Sequence, residues 1–433
     1  MSRTRLVGYA CSVFVGSWLL VMLCTVFAMA VLPAHEAART RRGFVMRMAE
    51  LGDGEWYRSI VTQGYVYDNL HMSSIVFFPG YPLLARWVIR WGRLPVDLGM
   101  LLTANVLMLG AFVVMALYLC DRIGEPHGEA ARRWALLALG FAPASFFFHL
   151  AYTESMLLLL MALALYGMHH RWPPLGLAML IGAATAVRST GILLGVPFAM
   201  YLWKWAGRRR GTAEAPLATS MQSAIADPAP TVDAVPLSTR ISRMALMSIP
   251  LALIGCWGLL AFLAFQQRQF GTPLAFAKAQ LVWRVRETHP TSIQRVVNLL
   301  TLESVRHAYL RGNPLYWNRF SPHGVPVLSF LFVNPLFFLA TGVLLLLGIY
   351  QGWLDRLEAS LGLTMWLFTY VVQAERQGMY SQARFTAAIL PVYLVLGQLL
   401  ARVPRRMAIA LMMLSGALFA CYAALFTAGY PMY

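Results

Sequence analysis

Few residues in this chain have the types and placement for chemistry, and five stand out: Asp53, Glu55, Glu154, Arg188 and Arg384. Asp53 lies in Leu51-Gly-Asp-Gly-Glu-Trp-Tyr57, between glycines that let the backbone turn and aromatics suited to a membrane–water interface. A carboxylate there can take a proton from a hydroxyl, or it can be an ordinary solvated loop aspartate. Glu55, two residues on, is a rival carboxylate. Glu154 sits in Ala151-Tyr-Thr-Glu-Ser155 and Arg188 in Ala186-Val-Arg-Ser-Thr-Gly191. These two can tie helix ends together as an ion pair, or Arg188 can offer its planar donors to a phosphate. Arg384, in Tyr380-Ser-Gln-Ala-Arg-Phe385, either grips an anion or snorkels to the interface. Lys278 and Arg284 are further cations that can contact a phosphate or form a solvated face. His169-His170 has no metal-ligand spacing, and neither have the five cysteines, so no metal site is expected.

The elements that must position these residues are membrane helices. The chain has 433 residues, 59% of them hydrophobic and only 12% charged, with 35 Lys+Arg against 18 Asp+Glu and a mean hydropathy of +0.61. A soluble enzyme carries about 25% charged residues. Continuous apolar stretches at Val7–Leu32, Leu98–Cys120, Leu246–Phe265 and Val325–Tyr350 exclude a transmembrane barrel, which would show short alternating segments. The first stretch is too long for a signal-peptide core of about 7–15 residues and reads as a retained helix.

Seven more apolar runs follow from the same reading: Trp134–Leu150, Met156–Met168, Leu175–Val187, Ile192–Trp205, Leu361–Val372, Phe385–Ala401 and Ala408–Phe426. The fold class expected is an all-α polytopic bundle of about 11 transmembrane helices. Short inside turns rich in Arg favour an N-terminus inside and a C-terminus outside. Two long loops, 33–97 and 266–324, then fall outside, and Asp53, Glu55, Glu154, Arg188 and Arg384 all lie at that face. Within the first loop, Pro82–Arg93 puts Leu83, Leu84, Trp87, Val88 and Trp91 on one helical face and Arg86, Arg90 and Arg93 on the other. That pattern predicts an interfacial helix. Residues 207–238, rich in Ala, Pro, Ser and Thr, read as a flexible inside linker between an N-terminal module, 1–206, and a C-terminal one, 239–433. The net charge of +17 is spread over many loops without a basic arm, which points to membrane phosphates and away from nucleic acid.

Six segments in order carry a family resemblance: Gly52-Asp-Gly-Glu-Trp-Tyr-Arg-Ser-Ile60 with Gln63-Gly-Tyr65; Val76-Phe-Phe-Pro-Gly-Tyr-Pro-Leu-Leu84; Pro143 with Ala151-Tyr-Thr-Glu-Ser155; Ala186-Val-Arg-Ser-Thr-Gly191; Phe270-Gly-Thr-Pro-Leu-Ala-Phe276 with Ala279-Gln280 and Trp283; and Ala383-Arg-Phe385 with Pro391. Together they resemble the PIG-V-like integral-membrane mannosyltransferases of the GT-C superfamily, glycosyltransferases that use lipid-phosphate sugars. Two departures are Gly52, where the family commonly has Trp, and Phe385 in place of Tyr. The resemblance implies a GT-C bundle whose outside loops carry interfacial helices, and a catalytic base in the first outside loop, which falls on Asp53. The second carboxylate would be Glu55 or Glu154, and Arg188, Arg384, Lys278 and Arg284 would contact the donor phosphate. It further implies transfer of a mannosyl or other hexosyl group from a polyprenyl- or dolichyl-phosphate sugar to a glycolipid or other acceptor, with inversion. No cofactor is implied, and a divalent metal is not required. The rival readings are a transporter or flippase of a lipid-linked sugar, and a non-catalytic GT-C relative that binds lipid. The expected location is a bacterial plasma membrane with a periplasmic site, or the endoplasmic reticulum with a luminal one in a eukaryote.

Overall fold

In hydrocarbon a backbone must satisfy its own N–H and C=O groups, so long apolar runs become helices. The structure, a computed structural model, describes residues 2–40, 43–124, 128–207, 236–283, 291–313, 316–320, 324–374 and 379–430. Among the described residues the regular elements are helices, with no β-strand. The chain opens with α1 (Arg3–Val31), followed by α2 (Glu36–Arg39), α3 (Phe44–Glu50), α4 (Asp53–Gln63) and α5 (Gly80–Gly92) of the first long loop. Next come α6 (Val96–Arg122), α7 (Gly128–Phe141), α8 (Glu154–His169), α9 (Pro174–Val187) and α10 (Gly195–Ala206). Beyond the 207–238 segment lie α11 (Leu237–Gly255) and α12 (Trp257–Phe270), then the short α13 (Ala275–Ala279), α14 (Ser292–Leu300) and α15 (Glu303–Tyr309) of the second long loop. The chain finishes with α16 (Phe330–Tyr350), α17 (Arg356–Thr369), α18 (Gln382–Ala387), α19 (Pro391–Arg402) and α20 (Arg405–Thr427).

Five of these, α1, α6, α11, α16 and α20, are long and apolar enough to cross a membrane, and α8 and α9 are shorter apolar helices. Leu23 on α1 is 66% exposed, Val343 on α16 65% and Met413 on α20 70%, each among further exposed apolar neighbours. Such surfaces are costly against water and natural against lipid. The chain is therefore an all-helical integral membrane protein.

The eleven apolar runs do not map one to one onto helices. Leu246–Phe265 is two helices, because α11 ends at Gly255 and α12 starts at Trp257. Tertiary bonds hold the break: the Trp257 indole donates to the Met179 carbonyl at 3.0 Å, and the Leu259 amide donates to Thr185 Oγ1 at 3.1 Å. At Gly258 a Cβ would lie 2.4 Å from the Gly182 carbonyl oxygen, so the α12 and α9 backbones touch. Phe385–Ala401 is likewise divided between α18 and α19, with Pro391 opening α19, a position where its missing N–H costs nothing. Trp134–Leu150 stops at Phe141 and continues as a 3₁₀ turn, Ser145–His149. At 14 residues, α7 and α9 reach only about 21 Å, short of a hydrocarbon core of about 30 Å.

One buried apolar cluster takes Phe112 and Leu158 from before the 207–238 segment and Leu361 and Val395 from after it. Residue Gly397 of α19 approaches α7 so closely that a Cβ would sit 2.4 Å from the Ala131 carbonyl oxygen. Most of the expected linker, 208–235, lies outside the described residues.

The helix predicted over Pro82–Arg93 is α5, and its faces carry a reversal. Leu83, Trp87 and Trp91 are exposed, as an interfacial helix requires. Arg86 instead turns onto the C-terminal end of α4, donating to the Val61 carbonyl at 3.0 Å and to that of Ile60. Those carbonyls belong to the last turn of α4, where that of Ile60 also accepts from the Gly64 amide at 3.1 Å, and a cation is well placed there.

Candidate active site

The site is built on the turn into α4. Gly52 adopts φ +61°, which a side chain resists, and a Cβ there would lie 2.4 Å from the Tyr152 hydroxyl. That hydroxyl donates to the Leu51 carbonyl at 2.8 Å and accepts from the Asp53 amide at 3.1 Å. A tryptophan at position 52 has no room in this chain. At Gly54 a Cβ would lie 2.1 Å from the Ala49 carbonyl oxygen. The two glycines thus let α4 start tightly against α3, with Asp53 as its first residue, where the helix dipole favours an anion. Arg58 fixes the rest of α4, with Nε 2.7 Å from Asp97 Oδ1 and 2.9 Å from Glu50 Oε1.

Four of the expected residues converge here from distant parts of the chain. Arg384 of α18 donates through Nη1 to Asp53 Oδ2 at 2.7 Å. Its Nε stands 3.2 Å from Glu154 Oε1, within ion-pair reach but without the alignment of a hydrogen bond. Arg188, the C-cap of α9, donates through Nη1 to the same Glu154 oxygen at 2.6 Å. The result is an alternating chain, Asp53–Arg384–Glu154–Arg188, of two carboxylates and two guanidiniums. Its members differ in access: the Glu154 side chain is 2% exposed, that of Asp53 28%.

Aromatic rings hold both guanidiniums. The Arg188 guanidinium carbon lies 4.8 Å from the Phe385 ring centre; that of Arg384 lies 5.3 Å from Phe385, 5.3 Å from Tyr152 and 5.8 Å from Phe147. At this spacing the ring faces attract cations and restrain them without occupying their N–H donors. Phe385 acts through its ring, so a phenylalanine serves there without a tyrosine hydroxyl. On the floor, buried Tyr57 donates weakly to Thr153 Oγ1 at 3.4 Å. Burial raises its phenol well above the ordinary value, so it remains protonated.

Glu55 and Lys278 are exposed, on α4 and α13, and Arg284 lies outside the described residues. Among the described residues no group of three His, Cys, Asp or Glu could hold a metal ion. Tyr152, which sets the Asp53 turn, was not singled out from sequence, although it lies two residues before Glu154. Nor was the aromatic joint between the two long loops. There Trp56 meets Trp283 at 5.2 Å between ring centres, and Phe77 meets Trp283 at 5.7 Å. Trp56 lies three residues after Asp53, one helical turn along.

No protein-family model matches the chain, and no curated protein matches it. Among solved structures it is similar in outline to the oligosaccharyltransferase of Archaeoglobus fulgidus. The apo form is 15% identical with a TM-score of 0.43, the match covering 96% of this chain and 56% of that one. The form tethered to an acceptor peptide is 14% identical at 0.42, covering 96% and 55%. The complex with an inhibitory peptide and a dolichol-phosphate is 15% identical at 0.42, covering 96% and 56%. The chain spans about half the length of those proteins. Likeness this loose carries neither a family nor an activity over.

Proposed function

We propose that the chain is a GT-C-type glycosyltransferase of the PIG-V-like kind. It moves a mannosyl or other hexosyl residue from a polyprenyl- or dolichyl-phosphate sugar to a glycolipid or other acceptor at the outer face of the membrane. The observation that carries this reading is the Asp53–Arg384 pair, a water-accessible carboxylate held 2.7 Å from a guanidinium that is itself paired towards a buried second carboxylate. Glycosyl transfer from a lipid phosphate needs those two functions in one site, on opposite sides of the anomeric carbon. The acceptor oxygen attacks the anomeric carbon, and its proton passes to Asp53. The bond from that carbon to the phosphate oxygen breaks on the opposite face, which inverts the configuration. The charge gathering on the leaving phosphate is met by Arg384 and Arg188. Glu154 keeps the two guanidiniums side by side, and Lys278 and Arg284 are placed in the second loop as outer contacts for the donor. The sugar arrives already activated on a lipid, so no nucleotide-binding domain is needed.

A transporter is less well served by this arrangement, because transporters keep substrate-binding groups near the bilayer midplane, whereas the topology read from the sequence puts Asp53, Arg188 and Arg384 at the outside face. Membranes containing the chain, or its Asp53→Asn variant at equal expression, are incubated with radiolabelled polyprenyl-phosphate mannose, and label is followed into endogenous lipid and protein. Label moved by wild type and lost in the variant is the expected result, and the labelled fraction identifies the acceptor class. Equal transfer by both would remove Asp53 as the base.

A further inference from the structure

The same geometry that supplies a base also engages it. Asp53 Oδ2, an oxygen that would accept the acceptor's proton, receives the Arg384 Nη1–H at 2.7 Å. Arg384 is at once the guanidinium nearest Asp53 and the one with a poorly satisfied donor, since its buried Nε lacks an aligned partner. That nitrogen faces Glu154, so the Nη1–H held by the more exposed Asp53 is the donor an arriving anion can take. The four charges sum to zero before a ligand arrives, with each cation already claimed by a carboxylate. A phosphate therefore has to win Arg384 from a competitor. Glu154 is an unsuitable one to displace: it is fully buried and bridges both arginines. Asp53, over a quarter exposed, can turn to water at little cost.

We propose that Arg384 is a latch on Asp53, and that the phosphate of the donor lipid opens it by exchanging for the carboxylate on the guanidinium. The ligand is a phosphate monoester or diester anion on a polyprenyl chain. Donor must then bind before the base is free, so the acceptor hydroxyl is activated only when a sugar is in place to receive it. The latch rests on the glycosyltransferase reading, and it makes a prediction of opposite sign to a simple contact. Removing the charge of a catalytic carboxylate should strengthen phosphate binding.

The test titrates purified full-length chain in detergent with polyprenyl monophosphate, reading affinity from the ligand-dependent rise in unfolding temperature. Asp53→Asn should bind about threefold to tenfold tighter than wild type, the range expected for removing a partly exposed charged competitor. Arg384→Gln should bind at least about tenfold weaker. Arg384→Lys, which keeps the charge, should recover part of that loss and guards against a folding defect. Glu55→Gln removes an equal charge two residues along α4 and should leave affinity within about twofold. Inorganic phosphate is the second probe. A matching Asp53→Asn effect on it would place the exchange at the phosphate alone, and an effect confined to the polyprenyl ligand would place it at a lipid headgroup. Unchanged or weaker binding by Asp53→Asn would overturn the latch, as would equal tightening in Glu55→Gln, which would indicate a general field. If polyprenyl phosphate binds and sugar is transferred while Asp53→Asn has unchanged affinity, the latch alone fails. If neither protein binds it, the glycosyltransferase reading falls as well.

Discussion

Among the described residues, the ionic clusters around Glu358 and around Glu154 differ in how completely their hydrogen bonds are used. In the first, Arg122 of α6 holds Glu358 of α17 through two bonds of 2.9 Å. Tyr118 donates to Glu358 Oε1 at 2.6 Å, the Asp355 amide donates to Oε2 at 2.6 Å, and Arg122 also donates to the Trp353 carbonyl at 3.1 Å. Asp355 completes a capping box by accepting from the Leu357 and Glu358 amides at 2.8 Å each. Both oxygens of Glu358 are engaged, and its side chain is fully buried. In the second, the Asp53–Arg384–Glu154–Arg188 chain leaves a buried guanidinium nitrogen without an aligned partner and a carboxylate open to water. A saturated cluster is a clamp between helices. An unsaturated one keeps capacity for a ligand, and functional ionic groups in membranes are found where such capacity remains.

The comparison breaks if the clamp turns out to be dispensable. Glu358→Gln leaves the half-buried Arg122 with Asp355 as its remaining counter-charge, 3.8 Å away. The expected cost is about 3–5 kcal/mol of stability, seen as a lower unfolding temperature and lower yield, while transfer per folded molecule is kept. Gly52→Ala probes the open cluster through its backbone. A methyl group forced against the Tyr152 hydroxyl from a left-handed turn should cost about 1–3 kcal/mol. It should also slow transfer on the order of tenfold to a hundredfold by moving Asp53. Its unfolding midpoint and initial rate, measured together, separate the two effects. The smallest change expected is in Asp355→Ala, which removes a helix cap at the clamp. It should lower stability by about 1 kcal/mol with no change in initial transfer rate.

Hydropathy made much of this bundle legible. The runs starting at Val7, Leu98, Met156, Leu175 and Ala408 became α1, α6, α8, α9 and α20 with ends shifted by a few residues, because lipid burial and backbone pairing are both local requirements. The break at Cys256 was not legible. Apolarity is continuous across it, and the turn is held by bonds to Met179 and Thr185 on another helix. The run Phe385–Ala401 likewise reads as continuous, although Pro391, with its fixed φ and missing donor, opens a new helix there. In the site, the Glu154–Arg188 pair follows from two helix ends meeting at one face. The Asp53–Arg384 pair joins residues 331 apart, and no spacing in the sequence links them. Nor does any local pattern reveal that Tyr152 holds the turn beneath Asp53.

The most direct test of the account measures sugar transfer and unfolding temperature for Asp53→Asn and Glu358→Gln in the same membranes, with radiolabelled polyprenyl-phosphate mannose as donor. The account predicts a crossed result. Asp53→Asn loses transfer by about a hundredfold to ten-thousandfold with a nearly unchanged unfolding temperature, and Glu358→Gln loses stability while its folded fraction transfers at the wild-type rate. Transfer retained by Asp53→Asn, or rate and stability falling together in both variants, would contradict it.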